Sequence, residues 1–397
     1  MRIYRDFDVF EGALRRLRWI FDQFEDRVGV CMSGGKDSTV TLELALMVAK
    51  ERGALPIKVL FLDQEAEWQS TVDYVRTVMD RPEVEPLWYQ IPMQISNATS
   101  HETRWLNCWH EGETWMRDRE PGAITVNDFG TLTFKDLFDA TLKRNFPEGN
   151  ACYLTGMRAE ESPARKIGMM THPTYKWATW GRAISKPKRL VNLFPIWNWT
   201  YKDVWKAIHD NGWPYNRIYD EQYRHGLPVR KMRVSNLHHE TAIEALYYLQ
   251  EAESETWDRL CARLSGVNTT RHLTGEVMKC PKQLPYMFSS WKQYRDYLAE
   301  KLPSDDEIRR KFKSTFARMD LKYEGIPPDY GYYAVQITSL IVDDYHLVKI
   351  ENREIKREVK EWYSTTHGID NALARAVKEG RGIKLAPNGE PWRRARD

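Results

Sequence analysis

Val28-Gly-Val-Cys-Met-Ser33-Gly34-Gly35-Lys36-Asp37-Ser38 runs straight into Thr39-Val-Thr-Leu-Glu-Leu-Ala-Leu-Met-Val-Ala-Lys50, and the reading of this stretch decides the fold. A short apolar run rich in β-branched residues, a Gly-Gly corner and an apolar segment of helical length predict strand, anion-binding loop and helix. Gly34 and Gly35 let the backbone turn tightly and bring its N–H groups close to an anion, and the start of the following helix adds a positive dipole end. Ser33 and Ser38 offer hydroxyl donors and Lys36 a point charge. Asp37 adds negative charge beside a phosphate, which makes sense if it caps the helix or holds Mg²⁺. The loop is not a Walker A motif: with Lys36 as its lysine, the first glycine falls at Val30 and the Ser/Thr at Asp37.

Around this stretch, 397 residues predict two or three units at about 150 residues per domain. A hydrophobic content of 42% is enough for a core, and a net charge of +3 does not by itself argue for a nucleic-acid protein. Cys31, Cys108, Cys152, Cys261 and Cys280 show no C-x-x-C pair and no metal-ligand spacing, which predicts a reducing, cytoplasmic setting without disulfides. Cys31 falls in the first strand and reads as a buried structural thiol. The N-terminal residues lack an apolar signal core, and no run approaches about 18 uncharged apolar residues, so no membrane association is expected.

Phe7, Phe10, Leu14, Leu17, Ile20, Phe21 and Phe24 stand at helical spacing and predict a packing helix over 7–25. Ile57 to Leu62 predicts a second, parallel strand, and Asp63-Gln-Glu65-Ala-Glu67 follows where that strand ends. Carboxylates there suit a metal, ribose hydroxyls or a helix cap. A helix is expected from Thr71 to Val78. Cys108 and His110 form a weak metal or nucleophile signal, and packing is the simpler reading.

Ala151 to Leu154 predicts another strand, feeding Gly156, Arg158, Glu161, Ser162 and Arg165. Arg158 and Arg165 can fork onto phosphate or sulfate oxygens while Glu161 holds an arginine in place. Residues 164–233 carry fourteen Lys/Arg against four Asp/Glu, a net of +10, with Tyr175, Trp177, Trp180 and Trp197 interleaved. That mixture fits a polyanion with stacked bases, a polyphosphate nucleotide or a solvated face. Thr200 with Asp203 three residues on predicts a helix start, and Gly212 its end. Beyond residue 236 the pattern turns helical, over 238–264, 289–302 and 304–319, with a charged tail at 351–381 and a basic end at Trp392 to Arg396.

The Ser33–Ser38 hexapeptide resembles the loop of the N-type ATP pyrophosphatases, the PP-loop superfamily that includes phosphoadenosine phosphosulfate (PAPS) reductases and ATP sulfurylase small subunits. Asp63 with Thr71 resembles the second motif of the PAPS reductases, Gly156-x-Arg158-x-x-Glu161-Ser162-x-x-Arg165 resembles the third, and Pro195 to Asp220 continues the match. The resemblance implies an α/β fold, an open doubly wound and mostly parallel sheet of the adenine nucleotide alpha hydrolase type, over residues 1–235, with a mostly helical extension over 236–397. It also implies that Ser33, Gly34, Gly35, Lys36, Asp37, Ser38, Asp63, Gly156, Glu161 and Ser162 bind an adenine nucleotide, ATP or PAPS-like. Lys36, Asp37, Arg158 and Arg165 become the catalytic candidates, and Asp37 and Asp63 the Mg²⁺ candidates.

The chain departs from sulfonucleotide reductases where a cysteine-bearing segment is expected: Tyr223 to Ser235 has none, and Cys261 and Cys280 lack the expected neighbours. A reductase-like core without those cysteines, joined to a helical extension, resembles the immunoglobulin-binding regulator A family. That resemblance implies a coactivator of prophage genes working beside a ParB-like protein partner. The leading expectation is an enzyme that cleaves ATP between its α and β phosphates and adenylates an acceptor. The alternatives are a PAPS reductase, a nucleic-acid modifying enzyme using the +10 stretch, and a nucleotide-switched regulator.

Overall fold

The computed structural model describes residues 6–96, 105–171, 173–185, 190–238, 243–264, 267, 279–303, 305–322, 330–342, 344, 347, 349–350, 384–385 and 391–392. They fall into two compact units, Met1–Ile95 with Asn107–Arg263, and Ser96–Leu106 with Leu264–Asp397.

In the first unit, helix α1 (Val9–Phe24) starts where the Asp8 carboxylate accepts the Glu11 N–H at 2.8 Å, and it buries Leu14, Leu17, Ile20, Phe21 and Phe24 on one face. Strand β1 (Val28–Cys31) leads through the glycine corner into α2 (Lys36–Arg52), which is apolar on nearly every side and packs against α1 and β1. Strand β2 (Ile57–Leu62), α3 (Gln69–Met79) and β3 (Val84–Tyr89) complete one half of the sheet. Helix α4 (Phe134–Asn145) precedes β4 (Ala151–Leu154), all four of whose residues are buried. A single 3-10 turn at Ala159–Glu161 and α5 (Pro163–Thr171) lead to β5 (Gly181–Ala183) and β6 (Leu190–Leu193).

The six strands lie in the order β3-β2-β1-β4-β6-β5. All neighbours are parallel except β5, which runs antiparallel to β6. The near-continuous apolar runs of β1, β2 and β4 are what a parallel sheet covered on both faces demands. From β1 the chain moves outward through β2 and β3, then returns to place β4 on the other side of β1. The switch point therefore falls between the carboxyl ends of β1 and β4, where such sheets open a ligand crevice.

Helix α6 (Tyr201–Asn211) has the expected capping box, with Asp203 Oδ2 accepting the Thr200 N–H at 2.7 Å, and ends on Gly212. Helix α7 (Ile218–Arg224) follows, and the stretch 238–264, expected to be helical, holds α8 (Ile243–Ala252) and α9 (Ser254–Arg263). The boundary expected at residue 235 lies inside the first unit, and the reason is physical. Glu253 accepts the N–H groups of Gln69 at 2.7 Å and Ser70 at 2.9 Å, so the α8–α9 corner caps the start of α3. Tyr248 stacks on Trp68 with ring centroids 5.9 Å apart.

In the second unit, α10 (Trp291–Lys301), α11 (Asp306–Lys322) and α12 (Tyr330–Ile341) enclose Leu298, Phe312, Phe316, Ile337 and Leu340. Buried Arg295 is held by Asp320 at 2.8 and 2.9 Å and by Gln336 at 2.9 Å. The charged tail at 351–381 and Arg393 to Arg396 lie outside the described residues. No described helix is long and apolar enough to cross a membrane.

Candidate functional site

The loop after β1 is shaped by its glycines and tied from three directions. Gly34 takes φ +70°, and a Cβ there would stand 2.6 Å from Thr71 Cγ2, so α3 presses the corner closed. Asn216 donates to the Gly34 carbonyl at 3.1 Å and to Thr71 Oγ1 at 2.9 Å, fastening both. Ser38 Oγ donates to the Gly35 carbonyl at 2.8 Å and lies 3.1 Å from Ser33 Oγ. The two hydroxyls expected to face phosphate thus stand side by side at the helix start, where orphan N–H groups and the dipole favour an anion.

Lys36 is 5% exposed. Its backbone N–H donates to Tyr219 Oη at 3.0 Å, and its Nζ donates to the Met232 carbonyl at 3.0 Å and lies 3.3 Å from Asp37 Oδ2. Burial pushes the ammonium's pKa down; Asp37 opposes this, while Arg158 and Arg233 add to it. A desolvated lysine at a helix start, held by a carbonyl and one carboxylate, is poised to meet an anion.

The β4 side closes on the same loop. A Cβ on Gly156 would lie 2.5 Å from the Asp37 carbonyl carbon, so only glycine lets the two backbones meet. Arg158, 5% exposed, donates through Nε to Asp37 Oδ1 at 2.6 Å and through Nη1 to Glu160 Oε2 at 2.7 Å. Glu161 pairs with Arg165, and Ser162 Oγ accepts the Arg165 N–H at 3.1 Å. Burial, Arg233 and Arg158 all push the Arg165 pKa down. Loop and third motif are therefore one cluster, with Arg158 holding Asp37 and Arg165 nearer solvent.

Asp63 sits differently. It is fully buried; its Oδ1 accepts the Glu65 N–H at 2.9 Å, and its Oδ2 accepts from Trp88 Nε1 at 2.8 Å, Gln90 Nε2 at 2.9 Å and the Arg117 guanidinium. Four donors leave this carboxylate little capacity for a metal, and Asp37 already faces Arg158 and Lys36. The Asp37 and Asp63 donor set does not fit Mg²⁺, and among the described residues no group of three or more His, Cys, Asp or Glu could hold a metal ion.

The basic stretch resolves mostly into structure. Tyr175 and Trp180 are buried and belong to the core, with Trp197 packed against it, whereas Trp177 is 60% exposed. Arg182 pairs with Asp139, Arg217 with Asp220, and Arg224 with Glu221. Cys108 is fully buried, as is Cys152, and burial pushes the thiols of Cys31, Cys108 and Cys152 upward. His110 Nε2 is buried without a hydrogen-bond partner among the described residues, beside no metal-ligand cluster.

Three contributors escape a reading of motifs. Asn216 and Tyr219 fall in the Tyr215–Asp220 segment that carries the family resemblance, but nothing in the residue order assigns them to the loop. The Met232 carbonyl has no side-chain signature at all.

The profile of the phosphoadenosine phosphosulfate reductase domain matches residues 27–225, and that of a Domain of unknown function (DUF3440) matches 226–325. Among curated proteins, the Escherichia coli protein YbdN, described as uncharacterized, is 27% identical over 76% of this chain and 78% of its own length. An adenosine 5'-phosphosulfate reductase of Lysinibacillus sphaericus is 23% identical over 54% of this chain and 78% of its own length. Among solved structures, the Candida auris phosphoadenylyl-sulfate reductase aligns at TM-score 0.31 and 16% identity, over 59% of this chain and 90% of that one. Candida glabrata FMN adenylyltransferase aligns at TM-score 0.32 and 14% identity, over 55% and 64%. The sequence match spans β1 to α7 and so contains the glycine loop, the Asp63 turn and the Arg158–Arg165 segment: this chain belongs to the phosphoadenosine phosphosulfate reductase domain family.

Proposed function

We propose that the chain is an adenine-nucleotide enzyme that binds ATP on the Ser33–Ser38 loop and transfers the adenylyl group to an acceptor. An acceptor oxygen attacks the α-phosphorus, the bond from that phosphorus to the bridging oxygen breaks, pyrophosphate leaves with the electron pair, and the acceptor's proton passes to solvent. The observation that carries this reading is the buried Lys36 ammonium at the helix start, within a cluster that holds Asp37, Arg158 and Arg165 together. Backbone N–H groups, Ser33, Ser38 and Lys36 bind the leaving pyrophosphate, and catalysis comes from positioning and charge stabilisation. Gly156, Glu161 and Ser162 shape the wall facing the loop. No step is assigned to Mg²⁺ at Asp37 and Asp63.

A second reading, reduction of a sulfonucleotide, is favoured by the family match and by relatives named adenosine 5'-phosphosulfate reductase. It needs an accessible thiolate: Cys108 and Cys152 are buried with upshifted thiols, Cys31, half-buried in β1, is upshifted as well, and Cys261 is half-buried in α9. A nucleic-acid acceptor and a ParB-like partner are compatible with adenylyl transfer but draw no support from a stretch whose aromatics are mostly packed inside.

The test is product analysis. With ATP and cell-extract fractions supplying acceptor, pyrophosphate and an adenylated species are expected, and Lys36→Ala abolishes both. ADP and phosphate as products would overturn the assignment, and sulfite release from PAPS with thioredoxin would install the second reading.

A further inference from the structure

The profile that defines the family ends at residue 225, yet the chain beyond it returns to the phosphate loop. Gln222, near the end of α7, clamps this return: its Oε1 accepts the Arg233 N–H at 3.1 Å and its Nε2 donates to the Arg233 carbonyl at 2.8 Å. One residue earlier, the Met232 carbonyl accepts the Lys36 ammonium at 3.0 Å. Farther on, Asn236 Nδ2 donates to the Gln64 carbonyl at 3.2 Å, and the Leu237 N–H to the Ala66 carbonyl at 2.8 Å. Residues 232–237 thus form a strap from the loop after β1 to the loop after β2, held at one end by the Lys36 and Gln222 side chains on its backbone and at the other by the Leu237 N–H and the Asn236 side chain.

The strap brings a cation with it. Lys36 is paired with Asp37, Arg158 with Asp37 and Glu160, and Arg165 with Glu161. Arg233, exposed and next in sequence to the carbonyl that holds Lys36, has no hydrogen-bond or ion-pair partner for its guanidinium among the described residues. Its charge is felt by both Lys36 and Arg165, whose pKa values it pushes down. The strap thus sets an unpaired arginine one residue from the carbonyl that holds Lys36, an arrangement that an incoming oxyanion relieves.

We infer that Arg233, carried by the strap outside the family profile, binds a tetrahedral oxyanion at the mouth of the Ser33–Ser38 loop, while the Met232 carbonyl positions Lys36. The segment matching the domain of unknown function therefore supplies a binding residue to the nucleotide site. The oxyanion is a phosphate of the nucleotide itself or a sulfate or phosphate group on the second substrate, and both are read by the same fork of donors. This inference rests on the proposed nucleotide site.

Calorimetric titration of the full chain with ATP, and of the ATP-saturated chain with inorganic sulfate, tests it, using wild type, Arg233→Gln, Arg233→Lys and Lys36→Ala. Arg233→Gln is expected to weaken one titration about tenfold, with partial recovery in Arg233→Lys, since a charge-assisted donor is lost from an exposed side chain that supports no core. A loss in the ATP arm assigns the oxyanion to the nucleotide, and a loss only in the sulfate arm assigns it to the second substrate. Unchanged affinity in both arms, with ATP binding intact and sensitive to Lys36→Ala, overturns the inference. Wild type that binds no ATP overturns the nucleotide reading instead, and sulfate titration of the ATP-free chain then decides the role of Arg233 alone.

Discussion

The loop after β1 and the loop after β2 leave neighbouring strands of one sheet, each carries a carboxylate one or two residues past its strand or corner, and they use it in opposite ways. Asp37 keeps about a fifth of its side chain exposed and balances two buried basic residues. Asp63 is sealed under four donors. Around it Glu65, in a left-handed conformation at φ +68°, accepts the Trp109 N–H at 3.0 Å, the Met116 N–H at 3.1 Å and Arg263 Nε at 2.8 Å. The first loop keeps its charges paired beside the glycine corner, whereas the second commits its charge to the 107–119 segment and to α9. Position at the end of a parallel strand thus marks a crevice without saying which acid faces it.

Breaking the buried side of this comparison gives the largest expected effect. Asp63→Ala strands the Arg117 guanidinium, 8% exposed, and two indole and amide donors in the interior. Removing one partner of a buried pair costs about 3–5 kcal/mol, so urea denaturation midpoints should fall steeply. A loss below about 1 kcal/mol would show that the second loop is not the buttress described here.

The same loop supplies a pH signature. Glu67 is buried between Asp63 and Asn236, and burial first, then the Asp63 charge, raise its carboxyl to about 7 against an ordinary 4.5. A folded-state pKa above the unfolded value means that the folded chain holds the proton longer. Stability is therefore full below about pH 4.5, declines as pH rises towards about 7, and stays lower above it, by about 3 kcal/mol at most. Glu67→Gln removes that slope, and the gap between variant and wild type should widen from pH 5 to 7.5. A gap that does not vary with pH would place Glu67 outside this cluster.

Much of this was legible in the residues. The strand, glycine corner and helix of 28–50 were readable because backbone geometry itself demands glycine and apolar periodicity there. Arg158 and Arg165 were readable as a pair from spacing. The direction in which Arg158 points, towards Asp37 and Glu160, depends on the contact between Gly156 and the loop, which no local pattern encodes. Asp63 looked like a ligand because acids at strand ends often are, and only tertiary contacts from Trp88, Gln90 and Arg117 show its donors. The strap at 232–237 was invisible because it works through carbonyls, which every residue shares. The boundary expected at 235 followed a change in pattern, whereas the cap that Glu253 gives α3 crosses nearly two hundred residues.

The smallest effect is the most discriminating. Asp37→Asn preserves the shape of the side chain and its acceptor for Arg158 Nε, and Arg158 keeps Glu160 as a counter-charge. With that second carboxylate and the amide acceptor retained, its stability cost should fall below that of Asp63→Ala. The change appears instead in ligand binding. With Asp37 neutral, Lys36 and Arg158 lose their shared counter-charge and phosphate loses a repulsive neighbour, so ATP should bind more tightly at low salt, with the gain shrinking as salt rises. Titrations at two ionic strengths measure this directly. If Asp37→Asn instead weakens ATP at both, the carboxylate's hold on Arg158 outweighs its repulsion of phosphate, and the first loop then resembles the second more closely than its exposure implies.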